Sequence, residues 1–450
     1  MLRPLMIVCG VLLIAISFLK PIVRAAPDAD SLLYTIAPQY DALAWMRAGE
    51  RFSSGATVFI KQDGRNRALV PDFAASADPA VSFDGQRVLF AAKQKRQDPW
   101  QIWEVALGGG KPHRITSGPE DCVRPFYLPE GRVVYARKIA GRFVIEALSV
   151  AGGRPLALTY TFENALPTDV LRDGRILFQS AYQGANEAIP EIYTVYSDGS
   201  GVESYRCDHK QPRYQAHQVG SGDIIFSVGP ALAKFTSARA QQVAITVPPA
   251  EYAGDVAETA SGNWVMPSRT STGTPYQLTE WTPGSATLRP IAADPHANVL
   301  QPVILREQAV PNRHPSGLHD WTYANLLCLN AYTSKYEFSG GSVHAMRLYT
   351  RGESAAPRLL GTASVERDGS FFVQVPGDEP LQIELLDASG KTLKREKGFF
   401  WMRKGEQRVC VGCHAGPETA PENAVPMILL KSTTPADLTG ASASNASGGH

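Results

Sequence analysis

The 450-residue chain has almost no excess of one charge sign. Its 44 Lys+Arg stand against 43 Asp+Glu, a formal net charge of +1, and only 19% of residues are charged. That balance excludes the basic surface a nucleic-acid partner would favour. Long hydrophobic runs are missing beyond the first twenty residues, so no later stretch can cross a bilayer as a helix. No paired carboxylates, Ser/His/Asp set or phosphate loop stands at recognisable spacing. Cysteine is scarce, six residues in all, so each one has to be accounted for. Abundant instead are turn formers: 39 Gly and 33 Pro, more than a helical bundle tolerates. With 44% hydrophobic residues the chain is too apolar for general disorder. A turn-rich, all-β protein follows, long enough for more than one domain.

The ends differ from the middle. Residues 1–25, MLRPLMIVCGVLLIAISFLKPIVRA, place Arg3 before an apolar run from Leu5 to Leu19, and Val23 and Ala25 supply small residues for cleavage. This is the layout of a signal peptide, and the expectation is a periplasmic protein with no membrane attachment once the segment is removed, or an anchored one if it stays. Cys9 would leave with it. The stretch 431–450 is small and polar, with nothing evident to bury, and reads as a disordered tail.

Between these ends one phrase returns: VSFDGQRVLFA, FYLPEGRVVYA, DVLRDGRILFQ, QVGSGDIIFS and ETASGNWVMP. Each is a short strand, a turn ending in glycine, and a second apolar strand. The glycines Gly85, Gly131, Gly174, Gly222 and Gly262 lie 40 to 48 residues apart, where tight hairpins need positive φ. A second hairpin family, such as IWEVALGGGKPHRIT, alternates with the first. Four strands per repeat is the signature of propeller blades. Five blades are clear and a sixth is weaker near 293–312. An early copy, TVFIKQDGRNRALV, would complete the last blade and close the ring. Six blades over 50–312 is the expected count, seven the alternative. No Gly-His or Trp-Asp pair recurs, which excludes a WD-repeat array; the Asp-Gly hairpins resemble those of TolB-like propellers.

After residue 315 the period breaks. LLCLNAYTS, VHAMRLYTR, LLGTASVERDGSFFVQVP and LQIELLDASGKTL alternate as the strands of a small β-sandwich, 320–430. It leads into RVCVGCHAGPETAPENAVP, in which Cys410-Val411-Gly412-Cys413-His414 is C-x-x-C-H. Two thiols at that spacing reach both vinyl groups of one haem, and the next histidine lies under the iron. Export satisfies an independent requirement of such attachment. A redox C-x-x-C would need a βαβ context, and half a zinc site would need a second C-x-x-C; neither is present. One covalent haem c is expected, bound through Cys410, Cys413 and His414.

Together the propeller phrases, VERDGSFFVQVP and GEQRVCVGCHAGPETAPENAVP resemble the hydrazine synthase alpha-subunit middle-domain family, over roughly residues 50–430. The resemblance implies a propeller carrying a domain with a catalytic c-type haem. In that family a tyrosine four residues past the motif histidine holds the iron, the histidine turns to zinc, and a further domain carries a second haem. Here Glu418 takes the tyrosine's position and no second C-x-x-C-H follows. What carries over is attachment by Cys410 and Cys413, with His414 facing iron or zinc.

Three cysteines remain: Cys122, Cys207 and Cys328. A zinc site from Cys207, His209, Cys328 and His414 is chemically reasonable, and the resemblance favours it. The alternatives are a Cys122–Cys207 disulfide, a buried free Cys328, and a His209 bonded to loop carbonyls. Met402, Met427, His319 and His344 are candidates for the iron's far side. Phe399, Phe400 and Trp401 are candidates for the haem wall or sandwich core, and Arg408, Glu418 and Glu422 for its edge. The function implied is a haem oxidoreductase acting on a small molecule. The alternatives are an electron carrier or haem sensor with a redox partner protein, and a propeller scaffold.

Overall fold

The computed structural model describes residues 31–440, except 63, 184–187, 207–210, 335–336, 353–355, 414–418 and 421–422. The motif glycines behave as the repeat requires: Gly85, Gly131, Gly174, Gly222 and Gly262 all have φ between 65° and 93°. Each turns an inner strand back into the second strand of its sheet.

Six antiparallel sheets result. Blade 1 starts at Ala75–Val81, blade 2 at Cys122–Leu128, blade 3 at Ala165–Val170 and blade 4 at Tyr214–Gln218. The inner position of blade 5 is split into Glu251–Tyr252 and Ala257–Glu258. Blade 6 begins with Asn298–Ile304 and is completed by Leu32–Ala37, Thr57–Gln62 and Arg65–Ala68. The early copy does close the ring, and the count is six. The strand Leu32–Ala37, however, lies ahead of the repeat expected to start at 50. It is separated from its hairpin partner by an insertion of residues 38–56, and that gap hid it from a search for a regular period.

Strand alternation holds the ring together. Leu33 faces blade 1 with Val88 and Phe90, whereas Leu32 and Tyr34 face blade 5 with Val265 and Leu278. The same division recurs: Val134 packs toward blade 3 with Ile176 and Phe178, and Leu177 toward blade 4 with Ile224 and Phe226. Both faces of every blade are therefore apolar, because both are covered by neighbours.

The sandwich comprises one sheet of Gln407–Cys410, Tyr323–Cys328, Phe371–Pro376 and Ala436–Asp437, and a second of Arg358–Ser364, Ala345–Thr350, Leu381–Leu386 and Thr392–Arg395. Alternate residues Met346, Leu348, Val373 and Val375 fill its core. The expected tail from 431 is corrected here. Ala436–Asp437 pairs parallel with Val373 and Gln374, and Leu438 is buried in the core against Gly361. One leucine in a polar stretch was too weak a pattern to read; residues 441–450 lie outside the described ones.

The two units touch through residues 399–406. Trp401 is buried among Leu128, Leu158 and Val195, and its indole N–H donates to the Gly199 carbonyl at 3.3 Å. Arg403 donates to the Ala157 carbonyl at 2.6 Å and pairs with Asp378 at 2.9 Å. Phe399 meets Phe162 edge-on at 5.3 Å. Trp401 and Phe399, candidates for a haem wall, thus belong to the propeller contact, while Phe400 lies at the sandwich core beside Leu381. Among the described residues, no helix is long and apolar enough to cross a membrane.

Candidate functional site

Cys410 ends the strand Gln407–Cys410, which runs parallel to Tyr323–Cys328, so that Cys410 lies beside Cys328 in register and Cys328 beside Phe371. The backbone continues the pairing, Leu329 N–H donating to the Cys410 carbonyl at 2.9 Å. The turn that follows is pressed onto residues 330–333. A Cβ on Gly412 would fall 2.0 Å from the Thr333 carbonyl oxygen and 2.6 Å from that of Asn330, so only glycine fits there. Glycine between the two cysteines is therefore a packing requirement of this turn.

Cys410 and Cys413 are both half-buried and lie against the apolar core with Tyr332 and Phe338. The Cys328 thiol is buried and hydrogen-bonded to Cys413; that bond first, then burial, raises it well above an ordinary thiol. Burial raises Cys410 as well. The outer side is different: Val409 is 60% exposed, and Val425, Met427 and Leu430 are exposed too. Two adjacent thiols, an apolar lining and exposed apolar neighbours suit a covalently attached porphyrin.

His414, Glu418 and Glu422 lie outside the described residues, as do Cys207 and His209. Among the described residues, no group of three or more His, Cys, Asp or Glu could hold a metal ion. Cys122 opens the inner strand of blade 2 as a buried free thiol, pushed up to about 11 by burial. Met402 is sealed in the sandwich core. His319 is exposed and stacked on Trp321 at 4.3 Å, and His344 is exposed. Met427 is exposed but anchored through its backbone: its N–H donates to Asp368 at 2.7 Å and that of Ile428 to Ser370 at 3.0 Å, just before Phe371. Arg408 is bound to Glu406 at 2.7 Å.

A second polar centre went unread in the sequence. Every inner strand shifts register midway. In five blades the residue there is in the left-handed region: Asp78, Arg124, Gln215, Asp255 and Gln301, φ 53° to 56°. Such backbone costs about 1–3 kcal/mol per non-glycine residue and concentrates at functional places. The side chains knit the channel. Arg51 reaches Asp78 at 2.6 Å, Gln301 donates to Asp78 at 2.6 Å, and Arg124 donates to Asp255 at 3.2 Å. Burial alone would raise both carboxyls. Arg51 and Arg124 offset that at Asp78, and Arg124 with His217 does so at Asp255, so both lie below the usual carboxylate range. One sequence signal was available: Pro79, Pro125 and Pro302 each follow a left-handed residue, and proline bars its predecessor from the right-handed helical region.

Insertion 38–56 closes one end of the channel. Trp45 is fully buried beside Ala136 and Leu166, Arg51 enters the centre, and the Tyr40 hydroxyl bonds Gln215. The other end opens into a cavity of about 500 Å³, bordered by linker residues 306–311.

With this geometry in view, the comparisons are specific. Residues 335–415 match the family described as hydrazine synthase alpha subunit middle domain. That span includes both haem-motif cysteines, and it bears out the resemblance drawn from the sequence. Among solved structures, hydrazine synthase of Kuenenia stuttgartiensis superposes with a TM-score of 0.78 at 15% identity, over 89% of this chain and 71% of that one. TolB from Acinetobacter baumannii aligns with a TM-score of 0.46 at 13% identity, over 61% of this chain and 67% of that one. No curated protein matches the chain. The chain is thus related in fold to hydrazine synthase, with the family's middle domain in its sandwich.

Proposed function

We propose that the chain is an exported cytochrome with one haem c joined to Cys410 and Cys413, acting as a haem oxidoreductase on a small molecule. The observation that carries this reading is that both motif thiols lie half-buried against the apolar sandwich core, Cys410 in register beside Cys328 on the edge strand and Cys413 hydrogen-bonded to Cys328, within the segment that matches the hydrazine synthase alpha middle domain. When bound, the haem supplies an iron that exchanges electrons or takes a small ligand. This chain's residues do the rest. Gly412 lets the turn seat closely, Cys328 backs the attachment strand, and Glu406 fixes Arg408 beside it. His414 would bind the iron or, as the family resemblance allows, zinc.

The anchoring of Met427 at Asp368, just before the strand Phe371–Pro376 that pairs with Tyr323–Cys328, supports a second reading, an electron carrier in which that methionine would hold the iron. One experiment separates the two. The protein is matured in a host that attaches c-type haem and then analysed by mass spectrometry, optical spectra with carbon monoxide or nitric oxide, and zinc content. A high-spin haem that binds either gas supports the oxidoreductase. A six-coordinate haem that ignores both supports the carrier. No haem mass, or haem retained covalently after Cys410→Ala with Cys413→Ala, overturns both.

A further inference from the structure

The propeller cavity is far from neutral in its chemistry. Its floor holds the carboxylates Asp78 and Asp255, each satisfied by a guanidinium, Arg51 or Arg124. Three further carboxylates line it, Asp169, Glu258 and Glu307; the half-buried Asp169 has no Arg or Lys within ion-pair distance among the described residues. Asp169 accepts from the backbone N–H of Val170 at 2.8 Å and of Gln218 at 2.7 Å. An ionised carboxylate offers about four acceptor positions, so capacity remains for a ligand. The Asp169 side chain is 24% exposed, against 7% for Asp255, and that surface faces the cavity.

His217 stands between these two acids. Its Nε2 lies 2.8 Å from Asp255 and its Nδ1 lies 4.0 Å from Asp169. Burial raises the Asp169 carboxyl, partly offset by His217, as expected of an acid lacking a full counter-charge. Phe83 and Phe126 line the same space, and aromatic faces attract cations. Arg172 is occupied by the Val219 and Gly220 carbonyls. Arg306 also lines the cavity, but Asp78, Asp169, Asp255, Glu258 and Glu307 outnumber Arg124, Arg172 and Arg306 there, so the lining disfavours an anion. A metal ion would lack a set of three ligands among the described residues.

We propose that this cavity binds a small organic cation with an apolar body, an alkylammonium, its charged end on Asp169 beside His217 and its hydrocarbon against Phe83 and Phe126. The site is independent of haem attachment. Its volume of about 500 Å³ falls within the range of small-molecule pockets, about 300–1,000 Å³.

The test uses three probes of one shape and different charge, n-butylammonium, 1-butanol and butyrate, titrated into the full-length protein at constant ionic strength and followed by calorimetry. Saturable binding of n-butylammonium is expected, with 1-butanol weaker and butyrate absent. Asp169→Asn should weaken the cation about tenfold or more, the factor worth about 1.4 kcal/mol, with the circular dichroism unchanged. Should that variant fail to fold, Phe83→Leu provides the second measurement, with weaker cation binding expected from the lost aromatic face. Equal affinity for all three probes, no binding of n-butylammonium, cation affinity unchanged in a folded variant, or tighter uptake of calcium or zinc alone overturns the proposal.

Discussion

The propeller and the sandwich bury their chemistry in opposite ways. The propeller places its charges at its geometric centre, where six blades converge, and lets them satisfy one another. The sandwich keeps its core apolar and puts its reactive groups, the motif thiols, at one end of a strand. Buried ion networks fix geometry more than they add stability, whereas a strand edge leaves a covalent partner room to approach. The comparison teaches that the propeller centre is a polar network satisfied from within, and the sandwich edge an apolar seat for half-buried thiols.

The contrast can be broken most sharply at Arg51. Arg51→Met leaves Asp78 buried without its nearest counter-charge and should destabilise the propeller by about 3–5 kcal/mol, read as a lower denaturant midpoint, with the family-matched sandwich still recognisable by its protease-resistant core. The same variant sharpens the pH dependence. Because the folded Asp78 carboxyl is depressed, its contribution is fully present above the unfolded value of about 3.9 and is lost as pH falls toward the lowered one. Removing Arg51 should make acid loss of stability begin at higher pH; an unchanged acid limb would mean that Asp78 is held by other groups.

Trp401→Ala tests the joint between the two regions. Losing a buried indole costs about 3–5 kcal/mol where the site cannot collapse, and here the loss should appear as separate unfolding transitions for propeller and sandwich. A single transition at an unchanged midpoint would show that Phe399 and Arg403 suffice. The smallest effect is expected at Leu438→Ala, about 2 kcal/mol on sandwich stability, measured by chemical denaturation. No change there would mean that residues 436–438 add nothing to the second unit.

Much of this was readable beforehand, for physical reasons that differ by region. Glycine turns repeat because a tight hairpin admits few residues, so Gly85 through Gly262 announced the blades. Cys410 and Cys413 were legible because C-x-x-C-H fixes both identity and spacing; the need for Gly412 was not, because it comes from the contact with Asn330 and Thr333. The channel was not: Asp78, Arg124, Gln215, Asp255 and Gln301 share a backbone conformation but no residue type, so only the prolines behind three of them carried a trace. Leu32–Ala37 was hidden by the insertion after it, and Trp401 read as part of the sandwich because its partners Leu158 and Val195 lie some two hundred residues earlier.

Blade 6 takes its inner strand from residues 298–304 and its remaining three from 32–68. Within the first segment Leu32–Ala37, Thr57–Gln62 and Arg65–Ala68 pair with one another, but the other edge of Leu32–Ala37 cannot meet Asn298–Ile304 until the ribosome has finished almost the whole ring. Until then that edge stays unpaired, a long-range pairing that slows assembly. Once closed, the clasp joins the earliest and the latest parts of the wheel, so that pulling on the front of the chain loads the joint at its last-formed seam.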